Sequence, residues 1–167
     1  MNKNEKIYLT GHRGMLGSAI YRELESSQYT NILTSSRQEL DLIDAHAVRH
    51  FIKKHKPHTV ILAAAKVGGI QANIAQPVNF LLENLQIQNA LIEASYEEGV
   101  DKIVFIGSSC IYPKKCRQPM HESDLMTGPL EPTNEGYALS KITAIKLLES
   151  LYSQYGQKGL NLIPCNL

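Results

Sequence analysis

The chain has 167 residues with 17 basic and 16 acidic side chains, six His, three Cys and no Trp, for a formal charge of +1 at neutral pH. With 43% apolar and 20% charged residues it has the make-up of a folded globular chain, not a disordered one, and it is long enough for one domain with a sizeable core. The balanced charge, whose densest basic cluster is Lys53, Lys54 and Lys56, argues against a nucleic-acid partner, and no apolar run reaches the roughly 18 residues of a membrane span.

The N-terminus, Met1-Asn2-Lys3-Asn4-Glu5-Lys6, leads directly into a β-rich segment and shows neither a secretory-length apolar stretch nor a cleavage site. A first strand is expected over residues 6–10, followed at once by glycines and then by a helix over 15–27, where Leu16, Ile20 and Leu24 share one face. A second strand is read over 31–34 and a short third over 39–42. Asp44 can cap the next helix, which carries Val48, Phe51 and Ile52 and stops at Pro57. Residues 59–65 form a continuous apolar run, as a parallel strand covered on both faces requires. Pro77 opens a long helix to residue 98, Gly99 breaks it, and 102–107 is another buried strand. Residues 111–135 hold four prolines and read as a long functional loop. A helix over 137–155 and a sixth strand over 160–164 follow. Cys110, Cys116 and Cys165 are odd in number and lack Cys-x-x-Cys spacing, so neither a disulfide framework nor a metal site is expected, and the expected address is a reducing cytoplasm.

Strands alternating with helices over short connections imply an α/β fold: a doubly wound, Rossmann-like parallel sheet of about six strands with right-handed crossovers. Such sheets bind ligands beyond the carboxyl ends of their strands. The chain's last apolar strand has no closing helix after it, so either a neighbour covers that edge or the chain is a fragment of a longer protein.

Gly11-His12-Arg13-Gly14-Met15-Leu16-Gly17 joins the first strand to the first helix. One glycine permits a positive φ, a second lets backbone approach a pyrophosphate, and a third lets the helix lie close to the sheet. The helix N-terminus adds free amides and a partial positive charge. The spacing is G-x-x-G-x-x-G, and the alternative is three packing glycines with no ligand. An acidic residue for a ribose hydroxyl is expected at the end of the second strand, but the stretch there is Thr34-Ser35-Ser36-Arg37. A cation among hydroxyls suits a 2′-phosphate, which favours NADP(H) with Arg37 as its clamp and Arg13 beside it. The alternative is that both arginines are solvated, with Glu39 and Asp41 as surface partners of Arg37.

Tyr137 and Lys141 lie four apart on an expected helix and so share a face. A phenol of pKa near 10 exchanges a proton at neutral pH only with help, and a lysine one turn away can stabilise its phenolate. Alone the pair is weak, since about 0.6 such spacings arise by chance in this composition. Ser108, about thirty residues upstream at the end of a buried strand, places a hydroxyl in the same crevice. Together they read as a hydride-transfer site in which Ser108 holds a carbonyl oxygen, Tyr137 donates its proton, and Lys141 lowers the tyrosine pKa and holds the nicotinamide ribose.

With these motifs the sequence resembles the extended short-chain dehydrogenase/reductase family. Within it, Gly11-His12-Arg13-Gly14-Met15, Ala63-Ala64-Ala65-Lys66-Val67-Gly68-Gly69-Ile70, Gly107-Ser108-Ser109-Cys110-Ile111-Tyr112-Pro113, Gln118-Pro119-Met120 and Glu131-Pro132-Thr133-Asn134-Glu135 are similar to the GDP-L-fucose synthases. That resemblance covers the whole chain but only about the first half of the family's length. It implies 3,5-epimerisation and NADPH-dependent 4-reduction of GDP-4-keto-6-deoxy-D-mannose to GDP-L-fucose, with residues 1–167 as an NADP-binding domain truncated before its substrate domain, an inactive half-chain, and a homodimeric full-length parent. It implies Ser108, Cys110, Tyr137 and Lys141 as catalytic, and a histidine beyond residue 167 as the second epimerisation acid or base. A thiol beside a cationic nicotinamide is expected to carry thiolate character. The expected cofactor contacts are Gly11, Arg13, Gly14, Met15, Gly17, Arg37, Asp41, Leu42, Ala63, Ala64, Ala65, Tyr137, Lys141, Pro164, Asn166 and Leu167, and no metal is expected. Another nucleotide-sugar epimerase, dehydratase or reductase, or a non-catalytic NADP-binding remnant, are the alternatives.

Overall fold

The computed structural model describes residues 3–165. The chain runs β1 (Ile7–Thr10), α1 (Met15–Ser26), β2 (Ile32–Thr34), α2 (Ala45–His55), β3 (Thr59–Leu62), α3 (Ile70–Ala75), α4 (Pro77–Glu97), β4 (Lys102–Ile106), α5 (Glu135–Tyr155) and β5 (Gly159–Leu162), with three short 3-10 turns between β4 and α5. The strands form one parallel sheet in the order β2-β1-β3-β4-β5. Chain direction across the sheet therefore reverses between β1 and β3, which is where an open α/β sheet parts to leave a crevice.

Alternation along the strands sorts their side chains between two faces. Tyr8, Val60, Leu62, Ile103 and Phe105 join the core under α2, α4 and α5, whereas Ile7, Leu9, Ile61, Val104 and Ile106 belong to a second cluster with Leu16, Ile20 and Leu24 of α1. Helix ends follow their chemistry. The Asp44 carboxylate accepts the Ala47 amide at 3.0 Å to cap α2, and Lys56 ends that helix at φ 46° just before Pro57. Pro77 opens α4, and Gly156 at φ 73° closes α5.

The doubly wound parallel sheet is as expected, but it has five strands among the described residues, not six. Residues 39–42 form no strand because their hydrogen bonds close locally. The Glu39 carboxylate takes the Ser36 amide at 2.7 Å, and the amides of Glu39 and Leu40 return to the Ser36 carbonyl at 3.1 and 3.0 Å. Leu40 is buried in the core as a turn residue. The run expected over 59–65 leaves the sheet after Leu62, and α3 falls in a stretch for which no element was expected.

Candidate active site

The loop between β1 and α1 is built on glycines that no other residue can replace in place. Gly11 sits at φ 69°, and a Cβ there would lie 2.7 Å from the Ala64 nitrogen. A Cβ on Gly17 would lie 2.0 Å from the Gly11 carbonyl oxygen, so α1 rests directly on the loop. The Gly14 amide closes the turn on the Gly11 carbonyl at 2.9 Å. The first-turn amides of α1 have no intrahelical acceptor, as at any helix start.

Two adjoining cavities meet over this loop and share Gly11, Gly14, Ala64 and Ala65. The first, about 430 Å³, is lined by Arg13, Ser35, Ser36, Arg37, Leu40, Asp41, Leu42 and Ile43 on one side and by Lys66, Glu83 and Ile87 on the other. The second, about 510 Å³, is lined by Met15, Leu16, Gly17, Ala63, Ile106, Ser108, Ser109, Tyr137, Lys141 and Pro164. Together they form an elongated groove across the β1/β3 switch. Its floor is a glycine cradle a Cβ would fill, one end carries two arginines, and the other carries a phenol and an ammonium; these residues fit a dinucleotide with an added phosphate. The Arg37 side chain is 75% exposed, and its Nε lies 3.9 Å from the Asp41 carboxylate, a loose pair that leaves the guanidinium free to turn to an anion. The His12 Nδ1 is buried with no partner among the described residues.

The side chains expected to react converge at the end of β4. Ser108 follows β4 in an extended conformation, Cys110 sits in the 3-10 turn Ser109–Ile111, and Tyr137 and Lys141 lie in the first turns of α5. Lys141 is buried. Its Nζ donates to the Ile106 carbonyl at 2.8 Å and stands 4.7 Å from the Phe105 ring centroid and 5.7 Å from that of Tyr137. Burial pushes the lysine down to about 8, with the Cys110 thiol pulling weakly upward. Burial also pushes the Tyr137 phenol up to about 12, helped by Cys110 and opposed by the Ser108 hydroxyl. The Cys110 thiol is raised by burial, with Ser108 and then Lys141 acting in the opposite sense. Burial sets the direction here, and the phenol moves opposite to the one expected from the Tyr-x-x-x-Lys spacing.

Of the residues expected at the site, all those within 3–165 fall on or beside the groove; Asn166 and Leu167 lie outside the described residues. Cys110 lies beside the lining, close enough to act on Tyr137 and Lys141. Sequence reasoning missed Ile43, Glu83 and Ile87. Lys66 was read only as part of the 63–70 motif, with no role of its own; its ammonium pairs with the Glu83 carboxylate at 2.5 Å on the rim. Sequence reasoning also missed buried Thr10, whose hydroxyl accepts the Ala64 amide at 3.1 Å, and Asn84, which brackets Lys66. The available signal was a polar residue at an inward position of an apolar pattern.

Residues 7–167 match the NAD dependent epimerase/dehydratase family. The chain belongs to that family. It is 49% identical over 163 residues to a GDP-L-fucose synthase of Sinorhizobium fredii, covering 98% of this chain and 52% of that protein. It is 47% identical over 163 residues to the GDP-L-fucose synthase of Escherichia coli, covering 98% of this chain and 51% of that protein. Among solved structures, the NADP-bound GDP-mannoheptose C4 reductase MlghC from Campylobacter jejuni superimposes with a TM-score of 0.95 at 38% identity, over 99% of this chain and 52% of that one. The chain thus spans about half the length of the curated relatives it matches.

Proposed function

We propose that the protein carrying this chain is an NADPH-dependent epimerase/reductase that converts GDP-4-keto-6-deoxy-D-mannose to GDP-L-fucose, with this chain as its cofactor-binding half. The observation that carries the reading is the convergence of Ser108, Cys110, Tyr137 and Lys141 on one end of a dinucleotide groove, in a chain 47–49% identical to two GDP-L-fucose synthases.

NADPH, when bound, supplies the hydride. Arg13 and Arg37 hold its 2′-phosphate, the glycine loop and the first amides of α1 hold the pyrophosphate, and Lys141 reaches the ribose beside the nicotinamide. Ser108 donates a hydrogen bond to the sugar's C4 oxygen, and Tyr137 gives that oxygen a proton as the ketone becomes an alcohol. The C4 ketone acidifies C3 and C5, so inversion at both needs only an acid and a base on opposite ring faces. Cys110 is one of them, and its partner comes from outside this chain. We further infer a homodimer formed through the outer faces of α4 and α5, and a reducing, cytoplasmic setting that keeps Cys110, Cys116 and Cys165 as thiols.

The test is to supply the whole protein with NADPH and the keto-sugar nucleotide in D₂O. GDP-L-fucose labelled at C3 and C5 is expected; a product reduced at C4 without label at either carbon would reduce the reading to a simple ketoreductase. Cys110→Ser is expected to abolish the labelling while sparing reduction of a ketone already epimerised. This chain alone is expected to bind NADPH weakly and to form no product.

A further inference from the structure

Helix α4 turns a stripe toward the core that includes Phe80, Asn84, Gln88 and Leu91, and two of these four are carboxamides, both buried. Each grips a different wall of the groove. The Asn84 Oδ1 accepts the Lys66 amide at 2.8 Å, while its Nδ2 donates to the Lys66 carbonyl at 3.0 Å and to the Phe80 carbonyl at 2.7 Å. The side chain thereby pairs with Lys66 as a neighbouring strand would, at the point where the sheet has ended. With Asn84 in place three of the four amides of residues 63–66 have an acceptor. Ala63 donates to the Ile61 carbonyl, Ala64 to the Thr10 hydroxyl and Lys66 to Asn84. The Ala65 amide has no hydrogen-bond partner among the described residues, and Ala65 lines both cavities.

One turn further along, the Gln88 Nε2 donates to the Ser140 carbonyl at 2.7 Å, and the Ser140 hydroxyl donates to the Tyr137 carbonyl at 2.7 Å. Gln88 thus holds α5 between Tyr137 and Lys141. Its own Oε1 is buried without a donor among the described residues. A buried unpaired carbonyl costs stability, and an apolar side chain of similar size would not incur that cost. A core glutamine is therefore a poor choice for stability alone.

We propose that Asn84 and Gln88 are positioning residues, through which α4 fixes the amide floor of the groove relative to the Tyr137/Lys141 pair. The proposal rests on the functional reading above and extends it to two residues that do not touch the reacting atoms. Asn84 acts through residues 63–66 on the cofactor; Gln88 acts through Ser140 on the proton donor.

The experiment compares Gln88→Leu and Asn84→Ala with the unaltered whole protein. Readouts are NADPH affinity by calorimetry, kcat for ketone reduction at saturating NADPH, thermal midpoint, and hydrogen exchange of the Lys66 amide. Gln88→Leu is expected to lower kcat about tenfold or more, as a misplaced acid does, with NADPH affinity within about twofold and the thermal midpoint equal or higher. Asn84→Ala is expected to weaken NADPH about tenfold, as the loss of one cofactor hydrogen bond to a displaced 63–66 segment does, to speed exchange at Lys66, and to change kcat less than affinity. Unchanged kcat in Gln88→Leu, or kcat and affinity that merely follow the thermal midpoint in both variants, would overturn the proposal. Should the unaltered protein neither bind NADPH nor reduce the ketone, the functional reading fails separately. Exchange at Lys66 in Asn84→Ala and at the α5 amides in Gln88→Leu then decides the positioning alone, with unchanged rates sinking it.

Discussion

At position 141 an ammonium sits where desolvation opposes it, and the sign of that opposition is testable. The Lys141 pKa is pushed down to about 8 from an ordinary value of 10.5, chiefly by burial. Below about pH 8 both the folded and unfolded chains carry the proton, and the folded state bears the whole desolvation cost. Between about 8 and 10.5 the unfolded chain holds more protons, so this group's contribution to stability rises with pH across that window. Lys141→Met should therefore raise the thermal midpoint at pH 7, remove that rise when melts at pH 7 and pH 10 are compared, and abolish turnover. A lower midpoint at pH 7 would show that the bond to the Ile106 carbonyl outweighs desolvation. The same burial governs Cys110. Its alkylation by iodoacetamide, followed by mass spectrometry, should titrate above the ordinary thiol value of 9.0 in the unliganded chain; a midpoint well below it would contradict the burial argument. That Ser108, Tyr137 and Lys141 line one cavity was legible from their residue types and their order along the chain. Their proton affinities were not, because these depend on how deeply the fold buries each group, and spacing alone does not encode burial.

The connection between β1 and α1 shows how little freedom an element boundary has once a helix must rest on a loop. A Cβ at Gly17 has only 2.0 Å to the Gly11 carbonyl, so Gly17→Ala must displace α1 or the loop. Overpacking of this kind costs on the order of 1–3 kcal/mol, and calorimetric melts should show that loss together with loss of NADPH binding. Asp44→Ala removes one cap bond from α2 and should cost about 1 kcal/mol, leaving the groove intact. Element types were readable where a pattern was long: α4, α5 and the buried runs of β3 and β4. They were misread where a short segment had a local alternative. Residues 39–42 look like a strand by composition, yet Ser36 and Glu39 satisfy each other's backbone and fold the segment into a turn. The first turn of α3 was hidden behind Gly68 and Gly69, which read as a loop. There Asn73 holds the turn by donating to the carbonyls of both glycines, at 2.9 and 3.1 Å. The end of β3 was set by Thr10 and Asn84, residues distant in sequence that only the tertiary fold brings to it.

Across the whole molecule the sheet is covered unequally. Helices α2, α4 and α5 bury one face, while α1 covers the other only around β1, and Leu160 and Leu162 of β5 stand 48% and 44% exposed alongside their partners Val104 and Ile106. A second apolar surface lies on α4, where Val78 and Leu82, one turn apart, are 66% and 50% exposed. Contiguous apolar surface of this kind marks contact sites, and the two patches make different demands. The β5 patch belongs to a sheet face and is complementary to a packed helix, whereas the α4 patch lies on a helix that already packs on α5, so a symmetric copy can meet it helix to helix. Leu82→Glu and Val78→Glu together should convert the proposed dimer of the whole protein to a monomer in sedimentation, with a thermal midpoint that no longer depends on protein concentration. Leu160→Lys and Leu162→Lys should leave that assembly intact and instead reduce binding of a hydrophobic dye by this chain. If the glutamates leave the dimer whole and the lysines split it, copies meet through the sheet, and Val78 and Leu82 face solvent in the assembled protein.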